Sequence, residues 1–127
     1  MTRVALVALG GAIGSVARYG VGAVAAQLLG TAFPWGTLLV NLTGSFLIAF
    51  VMHVALLGSS ISLDLRIFLT TGILGGFTTY SSFNYETLAL LGQRAYGLAS
   101  LNLAATVLGC LLAGVLGLAA GRGLAGG

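Results

Sequence analysis

The sequence predicts an all-α membrane protein with four transmembrane helices, and three observations carry that prediction. Hydrophobic residues make up 58% of the 127 residues and charged residues only 6%. The mean hydropathy is +1.11, whereas a soluble domain ordinarily has about a quarter of its residues charged. Four apolar stretches each approach the roughly 20 residues needed to cross a hydrocarbon core about 30 Å thick. The connectors between them are too short for a soluble domain, so the whole chain, 1–127, reads as a single membrane domain.

The stretches run from about Val4 to Leu29, Trp35 to Leu57, Leu65 to Leu91 and Tyr96 to Ala120. Arg3, the apolar run Val4 to Ala17 and the triplet Ala23-Val24-Ala25 imitate a signal peptide. That run is rich in glycine rather than leucine, however, and Arg18-Tyr19 stands before the supposed cleavage site. The first stretch is therefore read as a span. The tail from Gly121 to Gly127 is expected to fray.

Composition excludes several function classes. Cys110 is the one cysteine and His53 the one histidine, which removes a disulfide framework and the usual zinc clusters. The net charge of +3 comes from arginines scattered along the chain, not from a patch suited to nucleic acid. Gly10 to Gly14 lacks the lysine of a phosphate-binding loop. No nucleophile and base stand together for an intramembrane hydrolase, and no enzyme activity is expected.

Four spans place Arg3, Arg66 and Arg122 on one side of the membrane and Arg94 and Arg18 on the other. So even a division gives almost no positive-inside bias. A chain that inserts both ways can pair antiparallel with itself, and four short helices enclose little volume. A pathway is more easily built at a two-fold interface.

Each helix carries a row at four-residue spacing. Gly10, Gly14, Arg18 and Gly22 on the first, and Gly109, Ala113, Gly117 and Gly121 on the fourth, are small-residue rows for close helix contact. Arg18 either snorkels to the interface or forms an aqueous mouth that attracts anions. On the second helix the row is Thr37, Asn41, Ser45, Ala49 and His53. Asn41 is either an interhelical hydrogen bond or part of the wall of a narrow polar track.

The third stretch carries the densest signal, Thr-Thr-Gly-Ile-Leu-Gly-Gly-Phe-Thr-Thr-Tyr-Ser-Ser-Phe-Asn-Tyr-Glu from Thr70 to Glu86. Gly75-Gly76 weakens a helix in mid-membrane, and the hydroxyls of Thr78, Thr79, Ser81 and Ser82 can take over backbone bonds. A break is expected between Gly75 and Tyr80. Freed carbonyls there suit a hard cation such as sodium. Phe77, Tyr80 and Phe83 recur at spacing three, and their positive ring edges can line an anion path or simply pack in the core. Glu86 is either a boundary residue or an ion-path carboxylate. Tyr96, Ser100, Asn102 and Thr106 add polar groups on the last helix.

These motifs resemble the Fluc family of bacterial fluoride channels, also called CrcB proteins. The resemblance covers nearly the whole chain: Gly10-Gly11-Ala12-Ile13-Gly14 with Arg18-Tyr19, then Gly36-Thr37-Leu38, Val40-Asn41 and Gly44-Ser45-Phe46, then Gly75 to Phe83 with Glu86. It implies an antiparallel, dual-topology homodimer in the bacterial inner membrane that confers fluoride resistance, with two fluoride pores and a structural sodium ion at the two-fold axis. Carried over by position, Gly75 and Thr78 carbonyls hold the sodium. Asn41, with Thr37 nearby, donates hydrogen bonds to fluoride, and Tyr80 and Phe83 flank it. Thr79, Ser82 and Glu86 belong to the path, Arg18 to its vestibule, and Tyr96 and Ser100 to the lining. Tyr80 departs from the phenylalanine usual at its position and adds a hydroxyl. Ala104 gives no hydroxyl one turn after Ser100. The class weighed against a channel is a proton-coupled exporter of drug cations, for which Glu86 is the one candidate carboxylate.

Antiparallel pairing has a direct test at this level. Lysines added to the Gly58 to Asp64 connector are expected to bias orientation and reduce functional dimer formation. Unchanged assembly and activity would contradict the antiparallel arrangement.

Overall fold

The computed structural model describes residues 1–58 and 61–124. It is helical, with no strand among the described residues. Helix α1 spans Thr2–Leu29, α2 Trp35–Gly58, α3 Leu63–Ile67, α4 Gly75–Phe77, α5 Tyr80–Gly92 and α6 Tyr96–Leu124, and a π-helical stretch, Phe68–Leu74, joins α3 to α4. Helices α1, α2 and α6 are each long and apolar enough to cross a membrane. The third stretch does so only in pieces, interrupted at Thr78-Thr79 within the expected interval. The last helix continues to Leu124, so the tail expected to fray from Gly121 is helical for another turn. The reason is packing: Gly121 lies against the His53 ring and is buried.

The small-residue rows are contact faces. Gly10 and Gly14 lie against the backbone of Gly72, Ile73 and Phe77, and Gly76 lies against Gly11. A Cβ at Gly10 would stand 2.8 Å from the Gly72 Cα, which no side chain tolerates. This close approach seats the broken segment on α1. The π-turns belong to the same seat. A π-turn holds one more residue than an α-turn, so the periodicity expected of a plain helix does not run through 68–74. On the other side α6 packs along α2, with Gly109 against Leu42, Gly117 against Ala49 and the Phe46 carbonyl, and Gly121 against His53. The lower part of the α2 row, Ala49 and His53, is therefore packing surface, while Asn41 and Ser45 face the break.

Ends and turns follow local chemistry. Ser62 caps α3 by accepting from the Leu65 N–H at 3.1 Å, and Asp64 and Arg66 complement the dipole of that short helix. Asp64 also accepts from Arg3 at 3.1 Å, an exposed ion pair linking the start of α1 to α3. Helix α5 ends in a Schellman turn, in which Ala95 N–H donates to Leu90 O and Arg94 N–H to Leu91 O. Arg94 takes the left-handed position with φ 60°.

The buried core is small, with Leu38, Val40, Leu74, Phe83 and Leu90 at its centre. Large apolar side chains such as Val16, Leu28, Leu108 and Leu111 point outward. That inversion is the arrangement a lipid solvent favours.

Substituting Gly14→Ala is expected to destabilise the fold by about 1–3 kcal/mol, since its methyl group would meet unyielding backbone. Gly11→Ala, whose Cβ meets nothing within 4 Å, should leave stability nearly unchanged. Thermal unfolding of the two variants in detergent separates them.

Candidate functional site

The break at Thr78-Thr79 organises the site. Thr78 and Thr79 are extended, with φ −90° and −154°. An uninterrupted helix would send the Thr79 N–H to the Gly75 carbonyl and the Ser82 N–H to the Thr78 carbonyl. Here the Thr79 N–H donates to Asn41 Oδ1 at 2.8 Å, and the Ser82 N–H donates to Thr79 Oγ1 at 3.1 Å. Asn41 Nδ2 in turn donates to the Thr79 carbonyl at 3.0 Å, so one side-chain amide holds both polar groups of one peptide position. Arg18 Nε donates to the Gly76 carbonyl at 3.0 Å, and Thr78 Oγ1 to the Leu74 carbonyl at 2.9 Å. Gly76 and Thr79 thus receive new donors from Arg18 and Asn41, whereas Gly75 and Thr78 carbonyls have given up their helical ones. Gly75 is exposed and Thr78 half-buried. Among the described residues no cluster of His, Cys, Asp or Glu could hold a metal.

Among the described residues, two cavities border the break and two more share wall residues with them. One of about 510 Å³ is bounded by Ser15, Arg18, Tyr19, Thr37 and Thr79. Thr79 also lines a cavity of about 320 Å³ with Asn41, Ser45, Tyr80, Phe83, Thr106 and Cys110. Thr37 also lines one of about 440 Å³ with Ser81, Ser82, Tyr85 and Glu86. It borders as well one of about 290 Å³ at the α1–α2 turn, which reaches Trp35, Glu86 and Gln93. Between these spaces Thr37 Oγ1 donates to Glu86 Oε2 at 3.1 Å, and Glu86 Oε1 is buried without a partner. The Tyr80 and Phe83 rings meet edge to face, with centroids 5.6 Å apart and planes at 75°. Phe83 is buried at 5% exposure while Tyr80 is 78% exposed, so the tyrosine hydroxyl sits on an open ring.

The protein-family model described as CrcB-like protein, Camphor Resistance (CrcB), matches residues 5–118. The chain belongs to the CrcB family. Curated CrcB relatives extend the match to the full length. A protein of Anaeromyxobacter dehalogenans, named fluoride-specific ion channel FluC, is 54% identical over 126 residues, covering 99% of this chain and 100% of the relative. Proteins with the same name are 47% identical in Agrobacterium fabrum and 48% identical in Geobacter sulfurreducens, each over 98% of this chain and 99% and 100% of the relative.

Of the residues singled out in this CrcB chain, the fold gathers Arg18, Thr37, Asn41, Gly75, Thr78, Thr79, Tyr80, Ser82, Phe83 and Glu86 around the break or its cavities. Tyr96 and Ser100 are exposed on α6 and border none of the four cavities. The α6 residues that reach the aromatic cavity are Thr106, Val107 and Cys110. Thr106 and Asn102 are spaced four apart. Both stand out in the sequence as polar groups on the last helix, though spacing alone does not name the cavity or the α5 residue they meet.

Asn41→Leu removes both halves of the clamp on Thr79 and leaves a peptide N–H and C=O unpaired. The expected loss is about 1–3 kcal/mol, with Asn41→Asp losing no less, because its carboxylate accepts from the Thr79 N–H but stands acceptor to acceptor with the Thr79 carbonyl. Comparative thermal stability of the purified variants checks the order.

Proposed function

We propose that this chain is a fluoride-selective channel through which cytoplasmic fluoride leaves passively, working as an antiparallel dimer of two copies with two pores. The observation that carries the reading is the cavity where an edge-to-face aromatic pair stands beside Asn41. A primary amide has two N–H donors, and Asn41 commits one of them to the Thr79 carbonyl. The other is available to an anion. Fluoride is small and a strong hydrogen-bond acceptor, so it gains most from such a donor as water is stripped away, and the positive ring edge of Phe83 supports the negative charge. Arg18 supplies the one cation bordering these cavities and raises the local anion concentration. Glu86, held by Thr37, lines two of the neighbouring cavities.

Dimer formation is supported by what the single chain leaves open. Thr71, Gly75, Tyr80, Ser81, Asn84 and Tyr85 are exposed along the third segment, although lipid offers no partners for polar groups. A second copy would cover them. The same segment holds the two carbonyls that lost their helical donors. Gly75 and Thr78 fit a sodium ion held without carboxylates, and the ion would supply positive charge where the break leaves acceptors unmet. Relatives carrying the name fluoride-specific ion channel over the full length of the chain support the same reading.

The experiment is anion efflux from liposomes loaded with fluoride or chloride and read with ion-selective electrodes. The expected result is rapid fluoride release with little chloride release, reduced roughly tenfold or more by Phe83→Ile or Asn41→Asp, since each removes a group that meets the ion. No fluoride release, or transport abolished by Glu86→Gln together with dependence on a proton gradient, would favour the exporter.

A further inference from the structure

We propose that Asn102 is a positioning residue for the aromatic cavity, acting on Phe83 through Thr87; the inference rests on the channel reading of that cavity. Helix α5 follows directly after the break and is tied to α2 by Asn41 at its first residues and by Thr37 at Glu86. Its contact with α6 is slight beside the long α2–α6 seam, yet α6 forms one wall of the cavity. The side-chain hydrogen bond between α5 and α6 among the described residues is Asn102 Nδ2 to Thr87 Oγ1, at 2.9 Å. Thr87 Oγ1 in turn donates to the Phe83 carbonyl at 2.8 Å. On the other side Thr106 Oγ1 donates to Asn102 Oδ1 at 3.5 Å.

The direction of this chain follows from its members. The Thr87 hydroxyl has one proton, spent on Phe83, so it accepts from Asn102, and only the amide nitrogen can donate. Asn102 is 1% exposed, and a buried amide pays for its desolvation only when both ends are bonded. One end therefore reaches the backbone of the residue whose ring faces the cavity. The other reaches Thr106, which lines that cavity directly. Asn102 itself lines none of the four cavities. It fixes the spacing between the Phe83 ring and the Thr106 wall without meeting the ion.

The test uses the full chain reconstituted at less than one functional unit per vesicle. The fraction of vesicles that empty then counts correctly folded protein, and the rate at which they empty reports the pore. Asn102→Leu and Thr87→Val, close to the native side chains in volume, are expected to slow fluoride emptying roughly fivefold or more and to raise chloride leakage, with the emptying fraction unchanged. Thr87→Ser, which keeps the hydroxyl, should restore the native rate. A reduced emptying fraction at native rate, unaltered rate and selectivity in both variants, or failure of both to fold, would make the bridge purely structural and overturn the proposal. Absence of fluoride release from the unsubstituted chain would overturn the channel reading itself.

Discussion

Everything at the centre of this fold depends on the pairing of the Asn41 amide with the backbone of Thr79. A helix interrupted inside a membrane strands peptide donors and acceptors where lipid supplies no partner. A primary amide presents a donor and an acceptor side by side, as a neighbouring strand does, so one side chain can dress a peptide position completely. Arg18 does the same for the Gly76 carbonyl and Thr79 for the Ser82 N–H. With these four bonds in place α5 can start afresh. Its aromatic pair then faces the α2 wall.

The glycine rows make those bonds geometrically possible. Arg18 reaches Gly76 because Gly10 and Gly14 let α1 lie against the backbone of the broken segment. Asn41 reaches Thr79 along α2, whose other face is drawn close to α6 by Gly117 and Gly121. Close packing is often described as a source of stability alone. In this chain it also sets the reach of two polar side chains.

Much of this was legible beforehand because chemistry-bearing residues are scarce in an apolar chain. Thr37, Asn41 and Glu86 stand out against their surroundings, and Gly75-Gly76 followed by hydroxyls announces a break. Two alternatives that spacing alone left open are narrowed by geometry: Asn41 forms an interhelical bond and also borders a cavity, and Arg18 turns to the break rather than simply snorkelling. The π-turns and the Asn102–Thr87 bridge were not legible. A π-turn has no residue signature distinct from an α-helix, and a buried asparagine on one helix does not name its partner on another. The continuation of α6 past Gly121 depends on the His53 ring, a contact distant in sequence.

The turn after α5 couples two properties that are normally independent. Arg94 occupies a left-handed backbone conformation at φ 60°, where glycine would relieve strain of roughly 1 kcal/mol. It is also the charge carried by the short connector between α5 and α6, and arginines on short connectors steer the insertion of a chain into a membrane. A change that eases the backbone here erases a topological marker, and a change that strengthens the marker must accept the strained turn. Stability and orientation cannot be tuned separately at this position.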